Sequence, residues 1–189
     1  MSAPSFTAAD TAVLLIDHQM SAVGWIRTIP SDRMAANALA LARTARANGI
    51  PLFFAPSTGA YVPGPPSAAL REDHPGGETA RISRQAGVRT VDEEDFASVV
   101  GEAGRKKLII AGVDRDVWIV QVTLTALRLG YEVAVVTDAG GPPSKTGQDF
   151  AVRRMGRAGA AITSTARILA ELLQPRAGRC GGRILPFVR

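Results

Sequence analysis

Four near-continuous apolar runs constrain this chain more than any other feature. They are Ala12–Ile16, followed by Asp17; Ile50–Ala55; Leu108–Val113; and Tyr131–Thr137, followed by Asp138. A half-exposed strand alternates apolar with polar residues, whereas an unbroken run suits a strand buried on both faces, as in a parallel sheet. Between the runs lie stretches with helical signals. Ser31 stands as a cap before Asp32–Asn48, which Gly49 ends, and Asp116 as a cap for a helix running to Leu129, which Gly130 ends. Strand–helix–strand alternation predicts an α/β fold, a three-layer α/β/α sandwich with a mainly parallel, Rossmann-like sheet of about six strands.

The remaining segments are less regular. Ser57–Gly77 is rich in Pro and Gly and reads as a long loop, followed by a short extended piece near Thr79–Val91. Asp92, Glu93, Glu94 and Asp95 place acids in the first turn of a helix ending near Ala103. Towards the end, Arg153–Gly159 and Thr163–Leu173 read as helices, with a short strand at Ala160–Ile162. No repeat or linker divides the chain, so residues 1–175 are expected to form one domain and residues 176–189 a basic Gly/Arg tail.

Composition narrows the function classes. The net charge of +5 invites a nucleic-acid reading, but 19 of the 22 basic residues are Arg and they are scattered along the chain. Their densest stretch holds Arg176, Arg179, Arg183 and Arg189, which reads as a solvated tail. The single cysteine, Cys180, cannot form an internal disulfide and fits a reducing compartment. No leader-like segment opens the chain, and no apolar run approaches the roughly 20 residues needed to cross a bilayer. The expectation is a cytoplasmic protein with no nucleic-acid or membrane partner.

Reactive groups in open α/β sheets collect at the carboxyl ends of the strands. Asp17 stands at such an end, and Trp118 follows the third run in Gly112-Val113-Asp114-Arg115-Asp116-Val117-Trp118. Asp114 or Arg115, in the same turn, is a candidate to project into the cleft. Asp138 reads as a capping residue in the turn to Gly140-Gly141. Trp25, Phe54 and Tyr61 are candidate pocket walls alongside Phe53, although core packing is an equal use for such residues. His18 and His74, the two histidines, lack carboxylates at a ligand spacing, so His18 reads as a pocket or structural residue and no metal is expected. The glycine pairs lack the strand, helix and spacing of a phosphate cradle, and no cofactor is expected.

The order of these segments resembles one family, the isochorismatase-like cysteine hydrolases, from Thr11 to Leu173. The resemblance lies in Leu14-Leu15-Ile16-Asp17-His18-Gln19, Asp92-Glu93-Glu94-Asp95-Phe96, Gly104-Arg105-Lys106-Lys107-Leu108-Ile109-Ile110-Ala111-Gly112, Gly130-Tyr131-Glu132-Val133 and Val136-Thr137-Asp138-Ala139. Arg154-Met155 and Ala158-Gly159-Ala160 add to it, and the fragments are most similar to the YcaC-type branch. The resemblance implies a catalytic triad whose acid is Asp17 and whose basic member is Arg84. It places the nucleophile, a Cys in relatives, at Trp118, and it implies a cis peptide between Asp114 and Arg115.

An indole offers no nucleophile comparable with a thiolate, so the resemblance implies the scaffold of a hydrolase without its covalent chemistry. Family members that cleave vinyl ethers without a Cys show by analogy what Asp17 could still do as an acid or base. Two readings stand side by side. One is a non-covalent enzyme of hydrolase, lyase or cyclase type, in specialised metabolism, acting on a small conjugated or aromatic metabolite. There Arg84 steers an anionic group and Trp118 shapes the pocket. The other is an inactive pseudoenzyme in which Trp118 fills the old pocket, serving as a binding or scaffold protein. A homo-oligomer is expected in either case, with the apolar helix Val120–Leu129 as a contributor to its interface.

Overall fold

The computed structural model describes residues 5–18, 26–55, 100–113 and 115–173. Five strands make one parallel sheet among them: β1 (Thr11–Ile16), β2 (Leu52–Ala55), β3 (Lys107–Gly112), β4 (Glu132–Val136) and β5 (Ala161–Thr163). Their order is β2-β1-β3-β4-β5 and every pairing is parallel. The expected six strands are therefore five among the described residues. The four apolar runs supply β1 to β4, and all six residues of β1 are buried because β2 and β3 flank it in the sheet and helices cover both faces.

Alternate residues of each strand feed two separate cores. Val13, Leu15, Ile109, Ala111, Ala134 and Val136 face helix α1 (Ser31–Ala47) and the last helix, α4 (Thr165–Leu172). Ala12, Leu14, Ile16, Leu108, Ile110, Val133 and Val135 face the helices between, α2 (Val120–Arg128) and α3 (Lys145–Arg157). Each fully buried side chain of Leu or Ile contributes about 1.5–3 kcal/mol through loss of apolar contact with water.

The chain starts with β1, moves outwards to β2, then returns to the far side of β1 and continues through β3, β4 and β5. That reversal creates a crevice at the carboxyl ends of β1 and β3, where such sheets hold ligands. Gly49 and Gly130 end α1 and α2 in left-handed conformations, φ +64° and +86°. In each case the next amide reaches back to the last turn, Ile50 to Ala45 O at 2.8 Å and Tyr131 to Ala126 O at 3.0 Å, and the chain then enters a strand.

Several boundaries differ from the sequence reading. Pro30, not Ser31, precedes α1, and Ser31 is its first residue with no side-chain cap. Helix α3 starts at Lys145, eight residues before Arg153. Its N-cap is Ser144, whose Oγ accepts from the Gly147 amide at 3.0 Å. Only Ala151 and Met155 of α3 are buried, so its apolar stripe is too thin to show its length. Asp116 does not cap α2, because it lies within a π-helical segment, Arg115–Ile119, that leads directly into the helix.

Ser164 caps α4, accepting from Arg167 N, and β5 sits one residue later than expected. The long Pro/Gly loop, the extended piece, most of the helix from Asp92 and the basic tail lie outside the described residues.

Candidate active site at the sheet's switch point

Asp17 leaves β1 in a left-handed conformation, φ +55°, the only non-glycine to do so among the described residues. An L-residue there costs about 1–2 kcal/mol, least for Asp or Asn. The residue is only 3% exposed, and its backbone N–H donates to Ala55 O at 3.1 Å, tying the ends of β1 and β2. A buried acid is thus set at the crevice by a sharp change of chain direction.

The next residue crosses the crevice. His18 Nε2 lies 2.8 Å from Ala139 O, in the turn after β4, so the side chain spans from the end of β1 past β3. A carbonyl only accepts, so Nε2 carries the proton and Nδ1 a lone pair. Burial lowers the His18 pKa below the ordinary imidazole value, against the Ala139 hydrogen bond and the Asp17 charge, which raise it. Desolvation wins, and the ring is neutral at pH 7.

The turn after β4 packs closely against the end of β3 and the residues ahead of α1. A Cβ added to Gly140 would run into the Gly112 backbone, and one on Gly141 would come within 2.6 Å of Thr28 Oγ1. Gly112 is equally confined, its absent Cβ lying 2.6 Å from both Ile16 O and Ile119 Cδ1. The Gly112 and Gly140 backbones meet, and neighbouring side chains close in on Gly112 and Gly141, because none of these positions carries a side chain. Asp138, just ahead, is structural: its Oδ1 accepts from Thr165 N at 2.7 Å and Thr165 Oγ1 at 2.8 Å. It therefore pins the start of α4, rather than capping the turn to Gly140-Gly141.

Trp118 lies in the π-helical segment that rises from the end of β3. It is half-buried, between exposed Val117 (43%) and fully buried Ile119. Phe54 is partly buried and packs against the core on the α1 face, whereas Phe53 is buried on the opposite face. Asp17 and His18 thus lie at the carboxyl end of β1, with His18 reaching the turn after β4, and Trp118 lies in the segment that follows β3. Arg84, Asp114, Trp25 and Tyr61 lie outside the described residues, as does one side of the peptide expected to be cis; for Arg115 only the backbone is described.

The Ala139 carbonyl and the Gly112–Gly140 approach were not singled out from the sequence, where the glycine pair carries no recognisable motif. No cluster of potential metal ligands occurs among the described residues, and none of their helices is long and apolar enough to cross a membrane.

The Isochorismatase domain family profile matches residues 11–167. The probable hydrolase YcaC of Escherichia coli (strain K12) is 34% identical over 86% of this chain and 77% of its own. The structure of YcaC from Pseudomonas aeruginosa, solved with hexane-2,5-diol and covalent acrylamide, superposes with a TM-score of 0.83 at 36% identity. That match covers 91% of this chain and 84% of the other. The Escherichia coli YcaC structure, described as an octameric hydrolase of unknown specificity, also gives 0.83, at 33% identity over 91% and 83% of the two chains. With the profile spanning most of the chain and these relatives covering it nearly end to end, the protein belongs to the isochorismatase-like family, in its YcaC-type branch.

Proposed function

We propose that this protein is a non-covalent acid–base enzyme acting on a small conjugated or aromatic metabolite, with Asp17 as its acid or base. The observation that carries the reading is the Asp17 geometry: a buried carboxyl held in left-handed backbone at the switch point. Strained non-glycine backbone of this kind clusters at functional sites. Trp118 stands at the family's nucleophile position, and an indole cannot form the thioester that a thiolate would. Trp118 is only partly buried, which supports a pocket wall over a plug that fills a vacated core. Stacking on a conjugated ligand would contribute about 0.5–1.5 kcal/mol. Arg84 would steer an anionic group, and the domain of residues 1–175 would assemble as a homo-oligomer, in keeping with the octameric Escherichia coli relative.

Turnover of a panel of vinyl ethers and conjugated carboxylic acids tests this reading. Asp17→Asn should lower kcat at least about 100-fold, the scale of lost general acid–base catalysis, with the fold retained by circular dichroism. Unchanged turnover would remove Asp17 from the mechanism, and no turnover across the panel would favour the pseudoenzyme reading. Trp118→Cys supplies the complementary test. It should gain esterase or amidase activity together with an acrylamide adduct at residue 118, located by peptide mass spectrometry. Failure of both gains would show that the remaining triad is not competent.

A further inference from the structure

The acid–base reading leaves His18 without a task, although its ring lies across the crevice. Its Nε2–H is committed to Ala139 O, and its buried Nδ1 meets no hydrogen-bond partner among the described residues. The two nitrogens of an imidazole look in nearly opposite directions, so Nδ1 faces away from the β4 turn. Buried polar atoms in native proteins are overwhelmingly paired, so an unmatched one calls for a partner from outside the chain, a water or a ligand group. Thr44 Oγ1, Arg105 Nε, Thr123 Oγ1 and Thr163 Oγ1 are also unmatched. Nδ1 differs from them in belonging to a ring next to Asp17 that reaches from β1 to the β4 turn.

The Ala139 bond also holds the ring in one tautomer, as a second hydrogen bond does for functional histidines. We propose that His18 Nδ1 is the site's acceptor for a hydroxyl or N–H of the ligand. The ligand class is then a small conjugated acid or amide carrying a neutral donor beside the group on which Asp17 acts. This deepens, and rests on, the reading of the Asp17 crevice as the ligand site.

The lone pair makes the selection. A neutral imidazole accepts from O–H or N–H, and an analogue methylated at that atom leaves the nitrogen unmatched when water is excluded. His18→Gln separates the two ring functions, because a glutamine N–H can still donate to Ala139 O. Its one acceptor, Oε1, sits on the same carbon as that N–H and not where Nδ1 stands near the start of the side chain.

The experiment measures binding of two matched pairs, 4-hydroxycinnamic against 4-methoxycinnamic acid and cinnamamide against N,N-dimethylcinnamamide. It is combined with ¹⁵N spectra of the histidine rings. The sequence holds two histidines, so His74→Gln assigns the His18 resonances even if His18→Gln fails to fold.

In the wild type the donor-bearing member of at least one pair should bind about 5-fold or more tightly, moving the Nδ1 resonance, and His18→Gln should equalise that pair. Pairs that bind equally or not at all, a preference that survives His18→Gln, or donors that bind without moving Nδ1 would each overturn the proposal. Because these readouts are binding and not turnover, an inert Asp17→Asn result would sink the acid–base reading alone. A missing donor preference beside Asp17-dependent turnover would sink only the role of His18.

Discussion

His18 shows how one residue links stability to pH through its surroundings. Its folded pKa lies below the ordinary value of 6.5 because burial disfavours the charged ring. Above that value folded and unfolded chains are both neutral at this position and its contribution to stability is complete. As pH falls below it, the unfolded chain binds a proton that the folded chain resists, and stability declines until the folded pKa is reached. The slope is at most about 1.4 kcal/mol per pH unit. Urea midpoints measured between pH 7.5 and 5.5 should fall more steeply for the wild type than for His18→Gln, and parallel slopes would contradict the assignment. The sequence placed Asp17, His18 and Trp118 near strand ends because apolar runs betray where strands stop. It gave no sign that His18 would reach Ala139, 121 residues away, since a contact to a backbone carbonyl leaves no side-chain signature.

At the level of elements, strands were easier to read than helices. A buried strand needs nearly every residue apolar, whereas α3 needs only Ala151 and Met155 on its buried face. Polar capping was partly legible: Asp138 was recognisable as a cap, but its target, the first turn of α4, depends on β4 and β5 lying side by side. Asp138→Ala removes two hydrogen bonds from that junction. The expected loss is about 1–2 kcal/mol, or roughly 3–6 °C in Tm for a chain of this size. Differential scanning calorimetry decides this, and an unchanged Tm would mean that Ser164 alone secures the helix start. The π-helical segment escaped prediction because its residues also suit an α-helix.

Viewed as a whole molecule, the chain keeps its two ends of the sheet apart in character. At the amino end Lys107 pairs with Asp10 at 3.1 Å and donates to Ser5 O at 2.5 Å, fastening the first residues down. At the carboxyl end lies the Asp17 crevice. The buried face of α2 uses Val120, Val122 and Ala126 against the sheet, with Leu124 and Leu127 partly buried beside them, so the apolar surface it has left lies at those two residues and at Leu129 just past its end. Phe150 on α3 is 63% exposed, and Val117 and Leu129 are 43% and 40% exposed. Burial of this surface between subunits is the expected outcome: light scattering should give a mass several times the 19.8 kDa of one chain, and Phe150→Asp should shift it downwards. A wild-type monomer would refute this. The π-helical segment has a further consequence for how the protein tolerates substitution. Ile119 and Val120 anchor the segment in the core, while Val117 and Trp118 beside them stay partly outside it. Residue 118 sits beside the anchored part of the segment and not within it, so a substitution there, such as Trp118→Cys, is expected to alter the surface at the sheet's carboxyl end more than the fold itself.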